Sequence, residues 1–322
     1  MLVALNENCD LVSLLEGIPE RKQKFFCPAC KSELRLRRGT IKIPHFAHVS
    51  LQNCQSWSEN ESAQHLALKK VIFAWASRSG TKVEIEKYLS ELEQTPDLLI
   101  EDRIAVEVQC SRLSVRRLWE RTLNYRSHGC HVLWLAGRDL WLGKGMSPLQ
   151  KDLLYFSENR GFHYWELDLK RACLRLKYLI HQNLRGQLAF LTEEFRFDEG
   201  KILEAFRKPF SAQKMQFLKV ENDDSAVEFV REKLFHRVPH WLAMQENYYL
   251  AGKNLLNEKF ERQWAPPGLN IVTGEMTVTG FCQIPQDLTN YYQNFLINSS
   301  KSSTAVKLYP PRHYAIIEDK KK

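Results

Sequence analysis

The sequence predicts an α/β protein, and three observations along its 322 residues lead to that prediction. Helical and strand-like patterns alternate between residues 59 and 137. The segment before residue 55 combines turn formers, short strand-like pieces and clustered Cys and His residues. Beyond residue 148 a hairpin pattern is followed by amphipathic helical patterns, so we expect a mostly helical C-terminal region.

The composition is that of an ordinary globular protein, with 44% hydrophobic and 26% charged residues. Its apolar runs are far shorter than the ~20 residues that a membrane span needs. The N-terminus carries no signal-peptide pattern. We therefore expect a soluble, cytoplasmic protein without a membrane span. The net charge of +8 is compatible with a nucleic-acid partner but does not establish one.

Composition shifts divide the chain into three predicted domains, residues 1–57, 58–142 and 143–322. The last boundary falls in a Gly-rich stretch, after which Ser147 and Pro148 are typical of a helix start. The C-terminal hairpin has basic and aromatic residues along its second strand. That pattern fits contact with single-stranded DNA, and it fits an ordinary half-buried strand equally well.

The first motif that carries chemistry is a pair of cysteines followed by a pair of histidines. Fourteen residues separate the pair Cys27 and Cys30 from the pair His45 and His48. Two such pairs complete a tetrahedron around Zn²⁺, and four protein ligands leave no open position for catalysis, which predicts a structural site. Cys54 is an alternative fourth ligand. The other interpretation is that the cysteines pack and the histidines only form hydrogen bonds.

The second motif begins on a predicted helix that runs from Ser58 to a stop at Gly80. Glu61 and His65 are four residues apart and share one face of this helix. His65 is a candidate general base or phosphate contact. A core histidine satisfied by a neighbouring group is the alternative.

Two predicted strands, 96–100 and 104–109, follow and form a hairpin across a short polar turn. In that hairpin Asp97 comes alongside Glu107, and Gln109 shares the face of Glu107. Because a buried carboxylate is costly unless it pairs or binds a cation, Asp97 and Glu107 are candidate ligands for Mg²⁺ or Mn²⁺. In the alternative, Asp97 caps a turn and Glu107 pairs with an arginine of the next helix.

A basic helix capped at Ser114 is predicted directly after these strands. Arg117 and Arg121 are four residues apart, and Tyr125 continues the same predicted face. Arginines and a tyrosine beside acidic residues suit a phosphate backbone, so these three are candidate DNA contacts. A solvated helix face, with Arg121 neutralising a carboxylate, explains the pattern as well.

In this order, the segments resemble the competence protein CoiA-like family. The resemblance covers roughly residues 20 to 137 and includes FFCPACKSEL, RRGTIKIPHFAH, ESAQHLALK, PDLLI, AVEVQCS and HVLWLAG. Within it, Pro96-Asp97 followed by Glu107-Val108-Gln109 resembles the PD-(D/E)XK nuclease signature. The resemblance implies a restriction-endonuclease-like mixed-sheet core that follows a zinc-finger-like segment.

The resemblance also implies roles for single residues. Asp97 and Glu107 would bind a catalytic Mg²⁺ or Mn²⁺, and Glu61 would hold a second ion directly or through water. Gln109 takes the position of the usual catalytic Lys, and its amide supplies orientation and a dipole but no charge. The implied catalytic set is therefore Glu61, His65, Asp97, Glu107 and Gln109.

The function implied is metal-dependent hydrolysis of DNA during natural transformation and homologous recombination. Its expected partners are single-stranded or branched DNA and recombination or transformation proteins. The alternative is a non-catalytic DNA-binding accessory protein that retains the nuclease fold, and Gln109 is the residue that separates the two. A zinc-dependent RNA-binding protein is compatible with the composition, but the resemblance does not favour it.

Overall fold

The structure, a computed structural model, describes residues 1–20, 23–50, 54, 61–157, 160–182, 188–210, 225–257, 271–273 and 276–278. Two multi-stranded sheets and several helices make up the described part, which confirms the predicted α/β class. The predicted helix start at Ser58 lies outside the described residues. Among the residues that are described, no helix combines the length and the apolar character that crossing a bilayer requires.

The N-terminal sheet has five short antiparallel strands in the order β2-β1-β3-β4-β5. They are β1 Val3–Leu5, β2 Leu11–Ser13, β3 Phe25–Phe26, β4 Glu33–Arg37 and β5 His45–His48. Phe25 and Phe46 pack in the centre of its small core, with ring centroids 4.8 Å apart. The backbone amide of Phe46 donates to the carbonyl oxygen of Met1 at 2.8 Å, which ties β5 to the start of the chain.

Among the described residues, the larger sheet has eight strands, in the order β13-β12-β11-β9-β8-β7-β6 with β10 paired to β11. They are β6 Val83–Ile85, β7 Leu98–Ile100, β8 Ile104–Gln109, β9 His131–Ala136, β10 Tyr155–Ser157, β11 Gly161–Asp168, β12 Cys173–Gln182 and β13 Leu188–Arg196. The β8–β9 and β9–β11 pairs are parallel, and the other neighbours are antiparallel.

Six α-helices accompany the sheets in the described part of the chain. They are α1 Ala63–Arg78, α2 Val115–Ser127, α3 Pro148–Asp152, α4 Ile202–Arg207, α5 Ala226–Phe235 and α6 Pro239–Leu250. Helix α1 begins after Ser62, whose hydroxyl accepts from the His65 amide, and it stops before Gly80, which adopts φ 68°. Its buried face of Leu68, Ile72 and Trp75 follows the helical repeat and packs into the main core.

The hairpin that the sequence predicts at residues 96–109 is confirmed. Leu98 pairs with Val106 across β7 and β8, so Asp97 and Glu107 flank this pair on the same side. Glu101 and Asp102 make the turn with φ of 49° and 58°, a conformation that Asp tolerates better than most residues. The register therefore places two carboxylates next to each other at the open end of the hairpin.

The larger sheet continues across the predicted boundary at residue 142. Ala136 of β9 pairs in parallel with Glu166 of β11, so strands on both sides of that position share one sheet. The region from residue 143 onwards supplies four of the eight strands in addition to the expected helices. On the predicted basic hairpin, Arg175 lies 3.0 Å from Glu166 and 3.3 Å from Asp168, an internal ion-pair arrangement typical of a half-buried strand.

The end of β8 packs closely against Gly137, which suggests a test of the packing. A Cβ at position 137 would lie 2.6 Å from Cys110 Sγ and 3.2 Å from Cys110 Cα. Because such overpacking costs about 1–3 kcal/mol, Gly137→Ala should lower the free energy of unfolding by that amount in urea denaturation. Gly143→Ala is the control, since nothing lies within 4 Å of its Cβ position. Equal stability of Gly137→Ala and wild type would contradict this packing.

Candidate functional site

The N-terminal sheet gathers three thiols and one imidazole. Cys27, Cys30, His48 and Cys54 each offer a ligand atom, and these four atoms lie within 4.8 Å of one another. Cys30 Sγ is 3.4 Å from His48 Nε2. Tetrahedral Zn²⁺ with bonds of about 2.0–2.3 Å has ligand atoms roughly 3.3–3.8 Å apart. Three thiolates and an imidazole at this spacing fit zinc, with only a small contraction of the cluster.

His45 lies outside this cluster, which corrects the predicted ligand set. His45 and His48 are three residues apart on β5, and residues separated by an odd number point to opposite faces of a strand. His48 shares the face of buried Phe46, whereas His45 Nδ1 lies 2.9 Å from the Ile43 carbonyl oxygen. Cys54, the alternative fourth ligand, lies in the cluster instead.

Two thiols of this cluster lie in different electrostatic environments. Burial raises the pKa of Cys27 to about 12, against the opposing effect of backbone hydrogen bonds from Cys30 and Ala29. Burial acts in the same direction on Cys30, but hydrogen bonds from Ser32 and the neighbouring thiols outweigh it and lower the pKa of Cys30. A bound Zn²⁺ would stabilise the thiolate form of each ligand.

The second cluster lies where α1 meets the start of β7. Glu61 precedes the helix, His65 is in its first turn, and Asp97 precedes the strand. The three side chains each offer a ligand atom within 4.8 Å of the others. His65 Nε2 is 2.9 Å from Asp97 Oδ2, and His65 Nδ1 is 3.9 Å from Glu61 Oε1. The structure thus brings three of the predicted site residues together.

A fully buried lysine lies among the carboxylates of this cluster. Lys69, one turn after His65 on α1, donates to Glu61 and to Glu86, and its Nζ is 3.4 Å from Asp97 Oδ1. Burial acts to lower the pKa of Lys69, but the three carboxylates outweigh it and raise that pKa well above its ordinary value. The three carboxylates therefore favour the charged form of Lys69 inside the protein.

Glu86 connects the cluster to the N-terminal sheet. It follows β6 with φ 51°, a left-handed conformation that costs a non-glycine residue roughly 1 kcal/mol or more. Besides the ammonium of Lys69, its carboxylate accepts hydrogen bonds from the backbone amides of Leu2 at 2.7 Å and Val3 at 3.1 Å. Both carboxylate oxygens of Glu86 thus have partners within the protein.

The positive groups keep Glu61 and Asp97 ionised despite their burial. Burial acts to raise the pKa of Glu61, but Lys69, the amino group of Met1 and His65 lower it to about 2. For Asp97 the opposing groups are His65 and Lys69, and they hold its pKa well below the usual range. The backbone amide of Val108 also donates to Asp97 Oδ2 at 2.8 Å, so β8 fixes the orientation of this carboxylate.

Glu107 has partners on α2 and lies outside the Glu61–His65–Asp97 donor group. Its Oε1 accepts from Arg121 and from the hydroxyl of Tyr125 at 2.5 Å. Burial raises the pKa of Glu107, although Arg121 opposes the shift. The ion pair with an arginine of the following helix is thus present, and a role for Glu107 as a metal ligand stays a prediction.

Gln109 is buried at the end of β8, two residues after Glu107. Its side-chain Nε2 donates to the Ser111 carbonyl oxygen at 3.0 Å, and its backbone carbonyl oxygen accepts from the Gly137 amide at 2.7 Å. Because the amide group carries no charge, Gln109 supplies no cation next to Asp97.

The structure places Tyr125 in the core, which speaks against its predicted contact with DNA. At 3.6 residues per turn, the eight residues from Arg117 to Tyr125 rotate about 80° around the helix. Tyr125 therefore joins Leu118 and Thr122 on the buried face of α2. Arg121 keeps a partly exposed side chain, and Arg117 is half-buried, so these two remain candidate phosphate contacts.

Lys69 is the residue of this site that the sequence analysis missed. It is four residues after His65 and eight after Glu61, so the spacing that grouped those two would also have included Lys69. A lysine in a helix is usually an exposed residue, and nothing local distinguishes Lys69 from its neighbour Lys70, which is exposed. Two of its three carboxylate partners, Glu86 and Asp97, lie far along the chain, directly after β6 and directly before β7.

The Glu61–His65–Asp97 donor group fits one divalent cation. Two carboxylates and an imidazole suit Mn²⁺, whereas Mg²⁺ is usually held by oxygen ligands alone. The group is half-buried at Glu61 and His65 and buried at Asp97, so one side of it is accessible.

Comparison with known proteins adds two family matches. Residues 61–208 match the nuclease-like domain of competence protein CoiA, and residues 14–57 match the N-terminal domain of competence protein CoiA. A relative from Bacillus subtilis (strain 168), described as competence protein CoiA, is 29% identical over 167 residues, or 50% of this chain and 45% of the relative. The chain thus spans less than half of that relative's length. No solved structure matches the chain.

The nuclease-like match includes the whole Glu61–His65–Asp97 donor group, and the N-terminal match includes the four members of the cysteine cluster. The nuclease-like match also extends past residue 142 and includes the last strand of the larger sheet. The two matches name the same family and together cover more than half of the residues. The chain therefore belongs to the competence protein CoiA family.

Proposed function

We propose that this chain is a metal-dependent deoxyribonuclease that processes DNA in the cytoplasm during natural transformation and recombination. The observation that carries the proposal is the Glu61–His65–Asp97 donor group, whose ligand atoms lie within 4.8 Å of one another. Its setting in a nuclease-like domain supports the same conclusion. The substrate would be single-stranded or branched DNA, and the chain would act together with recombination or transformation proteins.

Glu61, His65 and Asp97 would hold the catalytic ion, with Mn²⁺ favoured over Mg²⁺ by the imidazole. When bound, such an ion lowers the pKa of water and polarises a scissile phosphate. The protein contributes orientation, because the Val108 amide holds Asp97 Oδ2 at 2.8 Å and His65 Nε2 lies 2.9 Å from the same oxygen. A site held by such fixed contacts loses little energy in reorganisation.

Arg121 and Arg117 would contact the phosphate backbone of the DNA. Glu107 holds the guanidinium of Arg121, and Tyr125 supports Glu107 from the core. Glu107 and Asp97 flank the same strand pair. The partly exposed, permanently charged guanidinium of Arg121 would therefore lie near Asp97. Glu107 thus acts as the positioning partner of a phosphate contact.

One observation favours the alternative function, a DNA-binding accessory protein without catalysis. Gln109 takes the position of a catalytic lysine, and its amide donates to the Ser111 carbonyl oxygen. A site without a cation at this position loses one source of charge stabilisation for the transition state. Cleavage and binding must therefore be measured separately.

Asp97→Asn should remove cleavage and keep DNA binding. The substitution preserves the shape of the side chain but weakens its attraction for a cation, so we expect a loss of at least about 100-fold in the cleavage rate. The measurement compares wild type and variant on single-stranded, duplex and branched DNA, with Mn²⁺ or Mg²⁺. Cleavage by wild type should be faster with Mn²⁺.

Asp102→Asn is the matched control, because Asp102 is an exposed aspartate whose partner is the exposed Lys82. Undiminished cleavage by Asp97→Asn would remove Asp97 from the site. Binding without metal-dependent cleavage by wild type on every substrate would replace the nuclease proposal with the accessory function.

The cysteine cluster would hold a structural zinc ion through Cys27, Cys30, His48 and Cys54. His48→Ala should therefore lower the zinc content of protein purified without chelator, as measured by mass spectrometry of the metal. His45→Ala is the matched control on the same strand and should retain full zinc content, because His45 faces away from the cluster. Zinc-free wild type, or loss of zinc in His45→Ala only, would contradict this ligand set.

A further inference from the structure

We infer that Lys69 is a built-in cation of the carboxylate cluster, held where a second divalent ion would otherwise bind, so that the site takes a single metal ion. The inference rests on the proposed function, because it concerns the number of ions that the nuclease site binds. Lys69 would be a positioning residue, since it is fully buried and contacts the carboxylates rather than substrate.

The contacts of Lys69 are those expected of a bound cation. Its Nζ meets Glu61 and Glu86 and lies 3.4 Å from Asp97 Oδ1. These carboxylates come from three separate segments, before α1, after β6 and before β7. Convergence of three carboxylates from different segments on one point is also what a divalent ion requires.

Asp97 separates the ammonium from the open side of the cluster. Its Oδ1 faces Lys69, while its Oδ2 accepts from Val108 and lies next to His65. Glu86 faces only the lysine side, because its other oxygen accepts from two backbone amides of the N-terminal strand. The lysine side therefore already holds its cation, and the His65 side is the one that can bind a metal.

This arrangement also relates to the glutamine at position 109. The side chain of Gln109 is neutral and donates to the Ser111 carbonyl oxygen. Lys69 on α1 supplies an ammonium group 3.4 Å from Asp97 Oδ1, and burial fixes this charge in the protein instead of leaving it to be supplied from solution. A lysine that serves as the second cation makes the site independent of a second metal ion.

Counting bound ions tests this inference. The 322-residue chain, with its zinc content determined, is titrated with Mn²⁺ and followed by electron paramagnetic resonance. Wild type should bind one Mn²⁺ at the cluster, and Lys69→Met should bind two, because Glu61, Glu86 and Asp97 then lose the ammonium group that they share. Lys69→Met should also melt at a lower temperature without Mn²⁺ and regain stability when it is added.

Lys70→Met is the matched control, since Lys70 is the exposed neighbour on the same helix, and it should bind one ion like wild type. In Lys69→Met/Glu86→Gln the second ion should be lost, because Glu86 faces the lysine side only. This double variant removes one charge of each sign, so it also provides a folded comparison if Lys69→Met does not fold.

The outcomes separate the two proposals. Two Mn²⁺ ions on wild type would overturn the role of Lys69 and leave the nuclease proposal intact. No Mn²⁺ on wild type would overturn the metal-dependent function together with this inference. One ion on Lys69→Met, or a second ion that persists without the Glu86 carboxylate, would also overturn the assignment of Lys69.

Discussion

The buried ammonium of Lys69 is the contact on which the rest of the site depends. A charge without access to water must be paired, and here the partners are Glu61, Glu86 and Asp97. Each partner lies at an end of α1, β6 or β7, so one side chain determines how these three elements meet. Glu86 makes this contact from a left-handed backbone conformation. The geometry of the donor group thus follows from neutralising one lysine.

The same cluster connects the two sheets. Glu86 accepts from the backbone amides of Leu2 and Val3, and Leu2 and Val3 pack with Leu66 of α1 and Ile85 of β6. The backbone of Met1 in turn exchanges hydrogen bonds with Phe46 on β5, the strand that carries His48. A continuous set of backbone contacts therefore runs from the cysteine cluster to the carboxylate cluster. The sheet that carries the cysteine cluster thus contacts the nuclease-like core at the carboxylate cluster itself.

The sequence predicted most of the elements that depend on local pattern, and it failed for Lys69, whose partners come from elsewhere in the chain. The cap at Ser114, the stop at Gly80 and the 96–109 hairpin follow from residue type and alternation, and the structure has them. The Cys and His motif predicted both His45 and His48 as zinc ligands, although strand alternation alone separates the two. The burial of Lys69 could not be predicted, since it depends on carboxylates beside two distant strands. Tyr125 was assigned to the wrong face of its helix, because eight residues do not complete whole helical turns.

The distribution of counter-ions indicates how metal and DNA would affect each other at the proposed site. Glu61 and Asp97 already face Lys69, and Glu107 already faces Arg121. A divalent ion would therefore be repelled by the fixed cations Lys69 and Arg121. A phosphate group at the same place would offset this repulsion with its negative charge. Because the site is largely buried, these interactions are screened little by solvent. On the proposed function, metal and DNA would therefore favour each other's binding.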